Sequence, residues 1–367
     1  MEQIRRFFEC LIPVTVCNLK CSYCYVIQRN YRNMKLAQMK YTPERISIGL
    51  TRERLGGICY FSICGAGETL VQPETLEIAR LLLQEGHFVN ITTNGTLTNK
   101  FNEITKMDEN DRKRLHFSFS LHYLELQRLH LLDRFFSNIK FVQENGCSYM
   151  VQLNLCDEYV PYLGEIKKVC LDKVGAYPQI AATRKEEEGL KKIQLHTEMT
   201  EEEYRDIGDT FHSELFKYTM ENFNVKRKEF CYAGERSGTL NLGTGMLTKC
   251  YADPRGVDIF EDINKPIKFE AIGHNCGCAY CLNSSHFMSL GVIDNGDERT
   301  YASIRDREGS HWFNPTVKAA LSQKLWDSNE KYSNIRLLSS DIKQKIKLNN
   351  YKIRHKIGVV MKRGIRK

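Results

Sequence analysis

Short apolar runs alternate with stretches of helical periodicity through the first half of the chain. Leu11–Val16, Ile58–Ile63, Phe88–Thr93, Leu115–Leu121, Tyr149–Leu155 and, more weakly, Gln179–Ala182 read as strands. Between them Pro43–Leu55, Glu74–Glu85, Phe101–Asn110, Tyr123–Asn145 and Tyr162–Lys173 read as helices. Strands that alternate with helices imply parallel crossover units, and a parallel sheet is covered on both faces. Six such units predict an α/β fold, a partial (β/α)6 TIM-like barrel whose chemistry sits on the loops that follow the strands. Past a charged connection, Arg184–Lys192, Thr200 and Glu203 form a capping box that predicts a helix running to about Asn222. Alternating apolar residues around glycines between Gly238 and Cys250 predict a β-hairpin. The expected organisation is a barrel over 1–195, a helical bridge over 196–229, a smaller C-terminal domain with the hairpin over 230–295, and a helical, basic tail over 296–367.

Composition adds limits. The 367 residues carry 42% hydrophobic and 27% charged positions, ordinary for a globular protein, so disorder and fibrous architecture are not indicated. No apolar stretch approaches the ~20 residues of a membrane-spanning helix. Glu9 and Cys10 interrupt the apolar stretch near the N-terminus, so no export signal is read and the expected location is cytoplasmic. There thiols act as ligands or catalysts more often than as disulfides. From Arg336 to Lys367, 11 Lys/Arg against Asp341 give +10, and the total of +8 leaves −2 for the remainder. Such a segment suits a solvated helix, peripheral contact with the anionic inner face of a membrane, an acidic partner, or nucleic acid, although no nucleic-acid motif accompanies the charge.

The 14 cysteines carry the candidate chemistry. Cys17, Cys21 and Cys24 fall on one short loop after the first strand, spaced to present three thiolates to one cluster. An iron–sulfur cube takes four thiolates, so three leave one iron open. A second group, Cys231, Cys250, Cys276, Cys278 and Cys281, brackets the hairpin; a structural zinc with four thiolates is the alternative to a cluster there. Cys64 and Cys156 end the second and fifth strands, facing the presumed cavity, where either can donate a hydrogen atom or be an inert buried thiol. Cys10, Cys59, Cys147 and Cys170 join no group and are expected to be buried small hydrophobes.

The Cys-x3-Cys-x2-Cys loop with Tyr23, Gly65-Ala66-Gly67-Glu68 after the second strand and Thr93-Asn94-Gly95 after the third together resemble a radical S-adenosylmethionine (radical SAM) enzyme, over about half the chain. The resemblance implies a [4Fe–4S] cluster on Cys17, Cys21 and Cys24 whose open iron binds S-adenosylmethionine, reductive cleavage to a 5′-deoxyadenosyl radical, and hydrogen-atom abstraction from substrate. It also implies that the backbone around Gly65, Gly67 and Glu68 meets the methionyl amine, that Thr93 and Asn94 line the cofactor, that Ser120 meets its ribose or carboxylate, and that Tyr23 shields the adenine. The usual second loop is Gly-Gly-Glu-Pro; here Ala66 and Thr69 depart from it. His122 stands where the family often has an acid, and after the fifth strand there is no glycine-rich adenine motif, only the polar Gln152 and Asn154.

The second cysteine group resembles the front of the SPASM extension, in its shortened twitch form. That implies one auxiliary [4Fe–4S] cluster on Cys231, Cys250, Cys278 and Cys281, with Cys276 as a possible substitute. The resemblance further implies a one-electron reductant such as flavodoxin or ferredoxin, and a peptide or small polar, carbohydrate-type substrate that is oxidised, cross-linked or epimerised. The short segment before Cys17 leaves no room for an N-terminal peptide-recognition domain, which counts against a leader-peptide substrate. A non-catalytic zinc or iron–sulfur protein and a nucleic-acid-modifying radical SAM enzyme are the competing classes.

Overall fold

The computed structural model describes residues 3–187, 192–278 and 280–364, with side chains to residue 355. Part of the Arg184–Lys192 connection, Ala279 and the end of the basic segment lie outside the described residues.

Six parallel strands form in chain order: β1 (Arg6–Ile12), β2 (Cys59–Gly65), β3 (Phe88–Thr93), β4 (Leu115–Ser120), β5 (Ser148–Leu155) and β6 (Gln179–Ala182), each paired with the next. This is the expected partial barrel. The sheet does not stop at β1, however. β7 (Ser237–Asn241) pairs parallel to β1, and β8 (Met246–Thr248) and β9 (Val257–Asp258) follow antiparallel, giving the order β6-β5-β4-β3-β2-β1-β7-β8-β9. The predicted hairpin is thus β7–β8, and it extends the barrel sheet.

The first strand is displaced from the expected Leu11–Val16. It ends at Ile12 because Pro13 has no N–H to continue the ladder. Val14 and Val16 instead accept from Gly67 and Glu68 backbone N–H groups at 2.7 and 2.8 Å, which draws the cysteine loop against the loop after β2. Side chains on one face of β1–β5 point inward. There Asn90 donates to Ser62 at 3.0 Å and accepts from Ser118 at 2.9 Å, and Phe7 stacks on Tyr60 at 5.3 Å.

Several predicted helices are broken. The capping box at Thr200 forms, with Glu203 N–H donating to Thr200 Oγ1 at 3.2 Å and Glu203 accepting from Thr200 N–H at 2.8 Å, but the helix ends at Asp209 rather than near Asn222. A second helix, Glu214–Glu221, starts from the Ser213 cap and folds back so closely that a Cβ on Gly208 would stand 2.1 Å from the Phe216 ring. The Tyr123–Asn145 run divides into Tyr123–Arg128 and Leu132–Glu144 around His130, which adopts φ 54°. Likewise Pro43–Leu55 divides into Pro43–Gly49 and Arg52–Leu55, and Phe101–Asn110 into short turns between Thr98 and Arg112.

The segment after residue 296 joins the main core. Trp312 is fully buried against Tyr149, its indole N–H donates to Val174 O at 2.9 Å, and its carbonyl accepts from Tyr149 N–H at 2.9 Å. Tyr301 and His286 close on Phe7, so the C-terminal part of the chain seals one end of the barrel. Cys10, Cys59, Cys147 and Cys170 are buried as expected.

Candidate active site at the barrel mouth

The loops at the C-terminal ends of the strands enclose a cavity of about 410 Å³. Cys17, Cys21 and Cys24 form part of its wall, and all eight residues expected at the cofactor, Tyr23, Gly65, Gly67, Glu68, Thr93, Asn94, Ser120 and Asn154, line it too. Sequence positions up to 137 apart therefore converge on one space because each lies at or just beyond the end of a parallel strand.

The cysteine loop is braced from several sides. Asn94 donates to Asn18 at 2.8 Å and to Cys17 Sγ at 3.7 Å; Asn18 donates to Thr96 at 2.8 Å. Lys20 N–H donates to Glu125 at 2.8 Å, Ser22 donates to Glu158 at 2.8 Å, and Arg32 donates to the Leu19 carbonyl at 3.0 Å and to that of Cys17. Burial and the neighbouring thiols push Cys21 up to about 12. Soft ligands gathered on one wall, with N–H donors from Leu19 and Asn94 aimed at Cys17 sulfur, fit an iron–sulfur cube. Among the described residues no three His, Cys, Asp or Glu converge on a point that one metal ion would occupy. A cube distributes its thiolates over separate irons and does not need that convergence.

Glu68 works as a brace. It is buried, and its carboxylate accepts from Thr93 Oγ1 at 2.7 Å, Asn94 N–H at 2.7 Å and Leu70 N–H at 3.0 Å, which fixes the loop after β3. Burial raises its carboxyl, and those donors oppose the rise. Gly67 is required by the chain itself: a Cβ there would lie 2.2 Å from Val16 O.

Tyr23 is buried, with its hydroxyl 2.6 Å from His122 Nδ1 and 3.0 Å from Tyr159 Oη. Burial lowers His122 to about 4, so the imidazole is neutral near pH 7. Neither Cys64 nor Cys156 lines the main cavity. Cys156 faces an adjoining cleft that also exposes Tyr23, and half-buried Cys64 lies in the electrostatic reach of Glu9, Tyr25 and Tyr251. Burial holds both as thiols, at about 11 for Cys64 and about 12 for Cys156.

A second cavity, about 330 Å³, is lined by Cys231, Cys276, Cys278 and Cys281. Cys250 is close enough to perturb Cys231 and Cys278 electrostatically. Cys231 is set by backbone pairing with Gly273, at 2.9 Å for the bond from Gly273 N–H. Cys276 and Cys278 are exposed, and the Cys278 thiol donates to Cys276, drawing the latter down. Four thiols line this space and Cys250 stands near it, one more than a cube takes.

Glu9 is the residue that motif reading missed. It lies on the inward face of β1, paired with Ser62, and is 14% exposed. Asn283 Nδ2 is 3.3 Å from its carboxylate and His286 Nε2 is 3.7 Å away. Burial raises it to about 7, against hydrogen bonds from Tyr251, Thr239 and Asn283. The available signal was a charge inside the apolar run Phe7-Phe8-Glu9-Cys10-Leu11 of a strand covered on both faces.

The fold is a partial barrel, and three cysteines of one loop line the cavity at its mouth. Residues 11–165 match the family described as Radical SAM superfamily. Over that stretch, under half of the chain, the sequence is similar to that superfamily. Among solved structures, Streptococcus suis SuiB aligns with TM-score 0.51 at 15% identity over 72% of this chain and 66% of that one. SuiB bound to S-adenosylmethionine aligns with TM-score 0.50 at 15% identity, also over 72% of this chain and 66% of that one. The chain thus spans just under two thirds of SuiB, and at this identity the likeness is one of fold. No curated protein matches the sequence.

Proposed function

We propose that this protein is a radical SAM oxidoreductase that abstracts a hydrogen atom from a peptide or carbohydrate-type substrate, and that it carries a second, auxiliary [4Fe–4S] cluster in a twitch-type unit. The observation that carries the reading is the single cavity in which Cys17, Cys21 and Cys24 meet Gly65, Gly67, Glu68, Thr93, Asn94, Ser120 and Asn154. When bound there, the cube and S-adenosylmethionine supply a 5′-deoxyadenosyl radical. The chain's own part is positional. Three thiols would hold the cube, Glu68 locks Thr93 and Asn94, and the His122–Tyr23–Tyr159 chain fixes the wall behind the cluster loop. Cys231, Cys250, Cys281 and either Cys278 or Cys276 hold the auxiliary cluster, and a flavodoxin- or ferredoxin-type reductant supplies the electron.

Anaerobic reconstitution tests this. About eight irons per chain and reductive release of 5′-deoxyadenosine are expected. A zinc-filled protein that leaves S-adenosylmethionine intact would return the chain to the metal-binding class.

A further inference from the structure

The C-terminal helix, Asn334–Gly364, has two unlike faces. Its inner face is anchored beside the second cysteine pocket. Leu337 rests on the Phe230, Tyr232 and Ala271 cluster. Asp341 accepts from His274 N–H at 2.9 Å and from Asn275 Nδ2, and Gln344, 2% exposed, accepts from Lys249 at 2.7 Å.

The opposite face carries Ile335, Leu338, Ile342, Ile346 and Ile353, exposed by 83, 63, 53, 56 and 56%. At about 100° per residue these five fall within an arc of roughly 80°, turned away from Leu337, Asp341 and Gln344. Scattered surface apolar residues need no explanation, but an aligned stripe of five large aliphatic side chains does. The flanks are basic. On the flanks stand Arg336, Lys343, Lys345, Lys347, Lys352 and Arg354; within the protein Lys343 and Lys347 pair with Glu270 and Arg336 with Glu330, which leaves Lys345, Lys352 and Arg354 for an outside partner.

We propose that this outward face lies on an anionic lipid surface, with the aliphatic stripe in the headgroup–acyl boundary and the lysines and arginines over phosphate groups. The charge pattern selects this occupant. A second copy of the helix would set like charges along both edges of the seam, whereas paired helices match opposite charges there. No described helix is long and apolar enough to cross a membrane, which agrees with a helix that lies in the interface. Because the inner face grips His274 and Asn275, just ahead of Cys276, the surface that holds the helix also holds the second cysteine pocket near the headgroups.

The test is flotation of the full chain with phosphatidylcholine vesicles, with and without phosphatidylglycerol. Binding is expected only to the anionic vesicles and is weakened by salt. The double variant Ile342→Asp, Ile346→Asp should lower partitioning at least about tenfold while circular dichroism and iron content are kept. A separate double variant, Lys345→Glu with Lys352→Glu, keeps the stripe and should also lose binding. Failure to float with anionic vesicles overturns the proposal, as does undiminished flotation of the aspartate variant. A stable dimer that the aspartate variant dissociates, or retention on polyglutamate without vesicle binding, reassigns the face to a second copy or to an acidic protein.

Discussion

The two cysteine groups are held in contrasting ways. Cys17, Cys21 and Cys24 sit on a loop tied by side chains from the loops after β3, β4 and β5, with Asn94, Glu125 and Glu158 all reaching it. The second group gathers five cysteines, one more than the proposed auxiliary cluster would use. Cys231 and Cys250 are set by strand pairing and the hairpin, but Cys276 and Cys278 are exposed on a loop. A site that must present one open iron to a small cofactor needs a wall organised before binding, because each misplaced group costs orientation. A closed cluster can instead organise its own loop, since the binding energy of the metal is also folding energy.

Breaking either site should therefore give different losses. Cys21→Ala should abolish 5′-deoxyadenosine formation and remove about four irons, whereas Cys250→Ala should remove about four irons yet leave cofactor cleavage measurable. Iron analysis and product chromatography on both variants decide it.

Glu9 stands between the groups, near Cys64 on one side and Asn283 on the other, and its carboxyl is raised from 4.5 to about 7. The folded state then holds its proton more tightly than the unfolded chain. That contribution is complete below about pH 4.5 and is lost as pH rises through about 7, a change of roughly 3 kcal/mol. Relative to wild type, Glu9→Gln should therefore gain stability as pH rises from 4.5 to 8, read by urea unfolding at each pH.

Glu68→Gln replaces an acceptor for three donors with a group that brings its own N–H, at a cost of about 1–3 kcal/mol. Thermal unfolding and S-adenosylmethionine affinity should both fall. The smallest effect belongs to the redundant pair. Cys276→Ser or Cys278→Ser alone should leave the iron count within error, and the two together should remove the second cluster. A full loss from one single variant would assign the fourth ligand to that residue.

Much of this was legible in the sequence. Strand order and the three-cysteine loop depend on local pattern: apolar runs set the parallel strands, and each motif lies within a few residues of a strand end; the residues expected at the cofactor came from the resemblance those motifs carry. Helix interruptions at His130 and at Thr210–Ser213 were not legible. No glycine or proline marks the first; at the second, Gly208 is present, but only the packing of Phe216 against it shows that the chain turns back there. The placement of β7 beside β1 joins positions some 230 residues apart and depends on which sheet edge stays open.

What the sequence determined alone is the ligand inventory and the scaffold that presents it, because periodicity and spacing act over a few residues. Tertiary structure decided which surfaces those residues share. It turned Glu9 from a charge in an apolar strand into a carboxyl facing Asn283 and His286, carried Trp312 beneath β5, and set the isoleucines of the last helix facing solvent. Each outcome rests on contacts between distant segments, where burial and the dielectric around a group are fixed only once the whole chain has closed.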